Sequence, residues 1–231
     1  MIVLIPSIGL SPHLPQLLKS LLEDSNVETI YLFDNSSEEK SQAVECIYDS
    51  SFEDLIFDAF DGDKIILYRN PGECIYYSWN FGIEQSTLQN TPCAIFNDDI
   101  ILPKGSISAA LNVLNKSECQ LVGFNHREPN RDVDPNAGFL EVHGTNRKGG
   151  IGGFAFIVAP NTPLIDINFK WWYGDDDLCN RILQQGKKLH IALGAPVFHP
   201  EPSTSGNKQV WVNDAIAKDS ALYVQIWAGW S

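Results

Sequence analysis

Continuous apolar runs alternate with amphipathic stretches through residues 1–96. Ile2, Val3, Leu4 and Ile5 form an unbroken apolar run, as expected of a strand buried on both faces. Residues 15–22 carry leucines at helical spacing. A second strand is predicted over 29–33, ending at Asp34, Asn35, Ser36 and Ser37. A helical region follows at 51–60, a third strand at 64–68, a helix over 73–85 and a fourth strand at 92–96. Strand–helix alternation of this kind predicts a mostly parallel sheet with helices on both faces.

The pattern then loosens. A helix is predicted over 106–114 and a strand over 120–124. Residues 126–150 are polar and hold Pro129, Asp132, Asp134, Pro135 and Gly138, which predicts a long mobile loop. A strand resumes over 152–158. Asp176 or Asp177 is the expected cap of a helix that Gly186 ends, with Lys187 and Lys188 nearby. A strand over 189–193 and a helix over 214–227 complete the chain. No repeat, low-complexity tract or linker interrupts it, so a single α/β domain is expected over 1–231.

Composition narrows the function classes. Hydrophobic residues make up 44% and charged residues 19%, which fits a globular chain with a real core. The formal net charge is -13, so the basic stripe of a phosphate-tracking nucleic-acid binder is missing. The five cysteines form no CxxC pair, and several sit in apolar runs, which points to a reducing compartment. No basic region precedes the first apolar run, so no secretory signal is expected. No apolar stretch reaches the roughly 20 residues of a bilayer span. A cytoplasmic protein is the expectation.

Two acidic clusters carry the candidate chemistry. Asn97, Asp98 and Asp99 follow the run Cys93-Ala94-Ile95-Phe96, and Asp175, Asp176 and Asp177 precede Leu178 to Leu183. One ends a predicted strand and the other opens a predicted helix, where α/β proteins bind ligands. Clustered carboxylates are costly unless a cation or proton relieves them. They therefore point to a hard metal ion, an acid/base group, or both. A helix cap needs one acid, and three in a row exceed that need. Asn-Asp and Asp-Asn pairs also suit plain turns. Arg181, four residues beyond Asp177, most simply forms a helix ion pair.

With these residues in view, the chain resembles the inverting family 2 of nucleotide-sugar glycosyltransferases, which have the A-type (GT-A) fold. Asp34-Asn35-Ser36-Ser37 resembles the family's nucleoside-binding turn. Asn70-Pro71-Gly72 and Asn80-Phe81-Gly82-Ile83 resemble its N-x-G and N-x-G-I elements. Asn97-Asp98-Asp99 stands at its metal-binding D-x-D, with Asn97 in place of the first acid. Gly152-Gly153-Phe154-Ala155 resembles the glycine-led strand beside the donor sugar. Gly174-Asp175-Asp176-Asp177-Leu178-Cys179-Asn180-Arg181 resembles the E-D-x-D-L-x-x-R segment, with Gly174 where many members have Glu. His199, Ser203 and Thr204 resemble a late His-x-x-x-S element, and residues 217–229 the family's K-W-G-G tail.

The resemblance implies a nucleotide-binding half (1–100) and an acceptor-binding half with a C-terminal tail (101–231), with 126–150 as acceptor loop. It implies a nucleotide-sugar donor and a divalent Mn²⁺ or Mg²⁺ on the leaving diphosphate. Asp99 would ligate the metal with Asn97 and His199, the imidazole favouring Mn²⁺ slightly. Pro6, Asp34, Asn35, Arg69, Asn80, Asp98 and Gly153 would bind the donor. Asp175 or Asp176 would be the general base for an acceptor hydroxyl. The acceptor could be a glycan, a lipid-linked sugar, a protein or another hydroxyl compound, and acidity disfavours nucleic acid. His199 also suits an ordinary loop, Gly152-Gly153 close packing, and Trp171 and Trp172 either a core or a sugar platform. The tail tryptophans Trp211, Trp227 and Trp230 most simply pack on the domain. Two rival readings remain, a sugar-binding module without turnover and a nucleotidyltransferase. The latter would want a basic glycine-rich loop, and Ser7-Ile8-Gly9-Leu10-Ser11 has no Lys or Arg.

Overall fold

The computed structural model describes residues 1–7, 11–35, 64–69, 74–128, 130–144, 150–200 and 210–229, without the side chains of residues 69 and 210–212. The helical region expected at 51–60 lies outside these residues, as do Ser36, Ser37, Asn70-Pro71-Gly72, Ser203 and Thr204. In chain order the elements are β1 (Ile2–Ser7), α1 (Leu14–Glu23), β2 (Thr29–Asp34), β3 (Ile65–Arg69), α2 (Ile75–Gln89), β4 (Cys93–Phe96) and α3 (Ser106–Ser117). They continue with β5 (Leu121–Asn125), β6 (Phe139–Val142), β7 (Ala155–Val158), α4 (Gly174–Gln184), β8 (Leu189–Pro196) and α5 (Val210–Trp227).

The strands form one sheet in the order β3-β2-β1-β4-β7-β5-β8-β6, so both halves of the chain share a single scaffold. β3, β2, β1 and β4 run parallel, and β5 runs parallel to β8. β7 is antiparallel to both its neighbours, as is β6 to β8. The predicted mostly parallel mixed sheet is therefore present. From β1 the chain steps outward to β2 and β3, then returns to place β4 on the other side of β1. That reversal opens a crevice at the carboxyl ends of β1 and β4, the usual ligand position in such sheets.

Alternate residues of the strands feed two core layers. Val3, Ile5, Ile30, Leu32, Ala94 and Phe96 face one side, under α1 and α3. Ile2, Leu4, Tyr31, Phe33, Cys93 and Ile95 face the other, under α2 and α4. In α1, Leu14, Leu17, Leu18 and Leu21 recur at helical spacing and all are buried. Each such side chain contributes about 1.5–3 kcal/mol on leaving water. Pro15 opens this helix where its missing N–H costs nothing.

Three expectations are corrected. The stretch 126–150 contains a strand, β6, which pairs with β8 at the sheet edge. Its four residues run exposed, exposed, half-buried, buried, so no apolar alternation marked them in the sequence. Helix α4 begins at Gly174 and not after an Asp176 or Asp177 cap: Tyr173 is the cap residue, with no side-chain hydrogen bond. Asp175, Asp176 and Asp177 all lie in the first turn, where the helix dipole favours them. The C-terminal helix also starts earlier than 214, at Val210. Among the described residues no helix is long and apolar enough to cross a membrane.

Candidate functional site

The first acidic segment leaves the sheet at the carboxyl end of β4, beside β1. Ser7, the last residue of β1, donates its hydroxyl to Asp98 Oδ2 at 2.5 Å. The Ser7 carbonyl accepts the Asn35 N–H at 2.7 Å, which ties the end of β2 to the same point. Asp34 pairs in register with Ser7 on one side and Arg69 on the other. Pro6 lies in the β1–β2 ladder opposite Phe33. The predicted donor residues Pro6, Asp34, Asn35 and Asp98 thus gather at one sheet edge; the Arg69 side chain lies outside the described residues.

Asp98 is half-buried, its carboxyl enclosed by protein atoms. Burial lifts its carboxyl from 3.8 to about 7, Ser7's hydrogen bond pulls it back, and the neighbouring Asp99 pushes it up again. Asp99 is buried, and His199 Nε2 lies 3.1 Å from its Oδ1. The backbone holds this pair. Ile101 and Phe198 exchange two hydrogen bonds, of 2.8 and 3.0 Å, which bring residue 199 beside residue 99. The His199 ring also stacks on Phe154 at 4.3 Å and 7°. Asn97 donates its N–H to the Phe154 carbonyl at 2.8 Å. Its side-chain Oδ1 is buried and unpartnered.

The second acidic segment reaches the same turn from the other side. A Cβ on Gly153 would lie 2.7 Å from Asp175 Oδ2, so only glycine permits this approach. The Gly153 backbone is hydrogen-bonded to Asp175, and burial nevertheless raises that carboxyl's pKa. Residues 152–154 therefore touch both clusters, through Phe154 to Asn97 and His199 and through Gly153 to Asp175.

Asp177 has a different job. It is fully buried, and its Oδ2 accepts from Arg181 Nε at 2.7 Å and from the Asp166 N–H at 3.0 Å. Its Oδ1 accepts from Trp227 Nε1 at 3.0 Å. The helix ion pair read from the spacing of Asp177 and Arg181 is present, and Trp227 packs on the domain. Asn80, expected near the nucleotide, has a structural partner. Its amide is buried and engaged with the Ile165 backbone in both directions, each bond 2.8 Å, so it braces α2 against the segment before α4.

Several residues of this region escaped sequence reading. Tyr76 accepts the Gly174 N–H at 3.0 Å on its hydroxyl, and a Cβ on Gly174 would lie 2.2 Å from the Tyr76 ring. A side chain at position 174 has no room. Asp219 is buried against the backbone of 170–172. Its signal was an acid on the same helical stripe as Leu222, Tyr223 and Trp227, where charge is rare unless bonded. Trp171 and Trp172 are half-buried.

Asp99 and His199 bring a carboxylate oxygen and an imidazole nitrogen together at 3.1 Å, and Asn97 lies two residues before Asp99; donors of these kinds suit Mn²⁺ or Mg²⁺. The buried amide oxygen of Asn97 has no hydrogen-bond partner among the described residues, so its lone pairs are open to a bound group. Among the described residues no group of three or more His, Cys, Asp or Glu could hold a metal alone. Oxygens of a bound diphosphate would have to finish the coordination.

No protein-family model matches the chain. No curated protein matches it either. Among solved structures it is similar to GalNAc-T7 crystallised with UDP, GalNAc and Mn²⁺, with a TM-score of 0.59 and 13% identity. The match covers 86% of this chain and 43% of that one, so this chain spans under half the length of its structural neighbour. At that identity the likeness concerns architecture alone: the chain has a single α/β fold of the GT-A-like Rossmann kind.

Proposed function

We propose that the protein is a metal-dependent, inverting glycosyltransferase that moves a sugar from a nucleoside diphosphate to an acceptor hydroxyl. The observation that carries this reading is the convergence of residues 97–99 and Asp175 on the turn 152–154. The neighbour's UDP and Mn²⁺ support a uridine nucleotide and a divalent ion as the first candidates.

Asp34, Asn35 and Asp98, at the ends of β2 and β4, hold the nucleoside and its ribose. Asn97, Asp99 and His199 would hold the divalent ion, which would supply positive charge to the departing diphosphate. Asp175 takes the proton from the acceptor oxygen as that oxygen bonds to the anomeric carbon and the carbon–phosphate-oxygen bond breaks. A carboxyl raised by burial is suited to this role near neutral pH. Attack opposite the leaving group inverts the anomeric centre. Asp176, adjacent in the same helical turn, is the comparator for the base. The acceptor is a glycan, lipid-linked sugar or protein hydroxyl met by residues 101–231. The cysteines Cys74, Cys93, Cys119 and Cys179 are free, which supports work in the reducing cytoplasm.

The test is a panel of nucleotide sugars in thermal shift with and without Mn²⁺, joined to an assay of nucleoside diphosphate release. A metal-dependent rise in melting temperature together with release is the expected result. Binding without release would make the chain a sugar-nucleotide binding module, and no binding to any donor would end the reading.

A further inference from the structure

The acidic segment that carries Asp175 is not self-supporting. Tyr173, its helix cap, is held at φ 66°, a left-handed conformation that a bulky residue adopts only at a cost. Such a conformation persists only where surrounding structure imposes it. The preceding backbone points three consecutive N–H groups in one direction. The carboxylate they meet is Asp219 of α5, 47–49 residues further along the chain.

Asp219 Oδ2 accepts from Trp171 and Trp172 at 2.9 Å each, and both its oxygens lie 3.2 Å from the Lys170 N–H. Only 3% of the residue is exposed, so these amides stand where water would otherwise solvate the charge. Two further ties run along the same helix. Tyr223 accepts from Asn180 Nδ2 at 3.0 Å and stacks on Tyr173 at 5.1 Å. Trp227 donates to Asp177 at 3.0 Å. Three positions of α5 therefore grip the chain immediately before, at and after Asp175 and Asp176.

We infer that α5 is a latch that sets the orientation of Asp175 and Asp176, with Asp219 as its principal positioning residue. The inference rests on the proposed role of those acids but concerns how they are held. Donor binding lies elsewhere, at the ends of β1, β2 and β4, and is independent of the latch. An undocked α5 frees residues 170–172 and Tyr173 and leaves the base without a fixed direction.

The experiment compares the full chain with Asp219→Asn, which turns one acceptor oxygen into an amide donor facing N–H groups. Asp214→Asn, at an exposed position of the same helix, is the charge-matched control. Native-state hydrogen exchange is expected to rise about tenfold or more over 170–176 in Asp219→Asn, with 29–34 and 93–99 unchanged and no change in the control. In the same proteins kcat should fall on the order of 10–100-fold while the donor KM holds, because misplacing a catalytic group costs turnover before binding. The acid limb of the kcat–pH profile should also move. Unchanged exchange over 170–176 overturns the latch, whatever the turnover. Faster exchange with an unchanged kcat and pH limb overturns the positioning role. A wild-type protein that turns over no donor sinks the glycosyltransferase reading separately, and exchange still decides the latch. If Asp219→Asn does not fold, Trp227→Phe keeps an aromatic side chain there, drops the tie to Asp177 and is read in the same way over 174–181.

Discussion

The two sides of the candidate site are built by different means. On the proposed donor side, the polar groups hang from the ends of adjacent parallel strands. Ser7, Asp34, Asn35 and Asp98 take their places from the β2-β1-β4 ladder, and Ser7 ties them together, its hydroxyl donating to Asp98 and its carbonyl accepting from the Asn35 N–H. On the proposed acceptor side, Asp175 and Asp176 lie in the first turn of a helix whose start is fixed by distant side chains. Tyr76 reaches Gly174 across 98 residues, Asp219 reaches 170–172 across 47–49, and Trp227 reaches Asp177 across 50. The first arrangement is rigid because backbone hydrogen bonds repeat along it. The second is only as firm as a few buried side-chain bonds, so single substitutions should loosen it without disturbing the first.

The largest effect should come from cutting each side at its chemical group. Asp175→Asn should lower turnover by roughly 10²–10⁴-fold, the usual worth of a general base, while donor affinity stays within about twofold. Asp99→Ala should do the reverse first, abolishing the Mn²⁺-dependent part of donor affinity measured by calorimetry. Full turnover in Asp175→Asn together with its loss in Asp176→Asn would move the base one residue along. Unchanged metal-dependent binding in Asp99→Ala would remove the metal from this corner altogether.

Gly174→Ala attacks the acceptor side through packing. Its Cβ would meet the ring of a buried tyrosine at 2.2 Å, and neither the ring nor the helix start can yield easily. Unfolding free energy should drop by about 3 kcal/mol, the upper range for overpacking. A melting curve like wild type's would mean that the ring turns aside freely. Tyr76→Phe is gentler. It keeps the ring and strands one buried N–H, for a loss of about 1–2 kcal/mol by denaturant titration. An equal loss in the double variant Gly174→Ala, Tyr76→Phe and in Gly174→Ala alone would show that the two act as one contact.

This contrast also explains what the sequence disclosed. The strands β1, β2 and β4 were legible because buried parallel strands are continuous apolar runs, and polar residues at their ends stand out. The order of the motifs carried the GT-A-like fold. The acid run 175–177 was legible as a cluster but not as a division of labour. Asp177 separates from its neighbours only because Arg181, Asp166 and Trp227 converge on it, and only the first of these is local. The bracing role of Asn80 was hidden for the same reason: its partner, the Ile165 backbone, lies 85 residues away. Strand β6 hid because an edge strand with one buried residue has no period to detect.

The smallest predicted effect lies at that edge and tests whether the acceptor side carries its own pH sensitivity. His190 of β8 is buried under Phe139 of β6, the two rings stacked at 4.0 Å. The Ser117 hydroxyl donates to the Val113 carbonyl at 2.5 Å, so its oxygen is left to accept from His190 Nδ1 at 2.8 Å. That assigns the proton to Nδ1 and leaves Nε2 buried without a hydrogen-bond partner. Burial is the main cause that holds the ring below its ordinary 6.5, with Lys188 and His143 adding to it and Glu141 opposing. Above that value the ring is neutral whether the chain is folded or not. Below it the unfolded chain takes up a proton that the folded one resists, so stability falls as pH drops below about 6.5. His190→Gln removes this titration, and its melting temperature should slope less below that pH than wild type's. Parallel slopes for the two proteins would mean that Glu141, which faces the ring from β6 at 3.9 Å, already balances the burial.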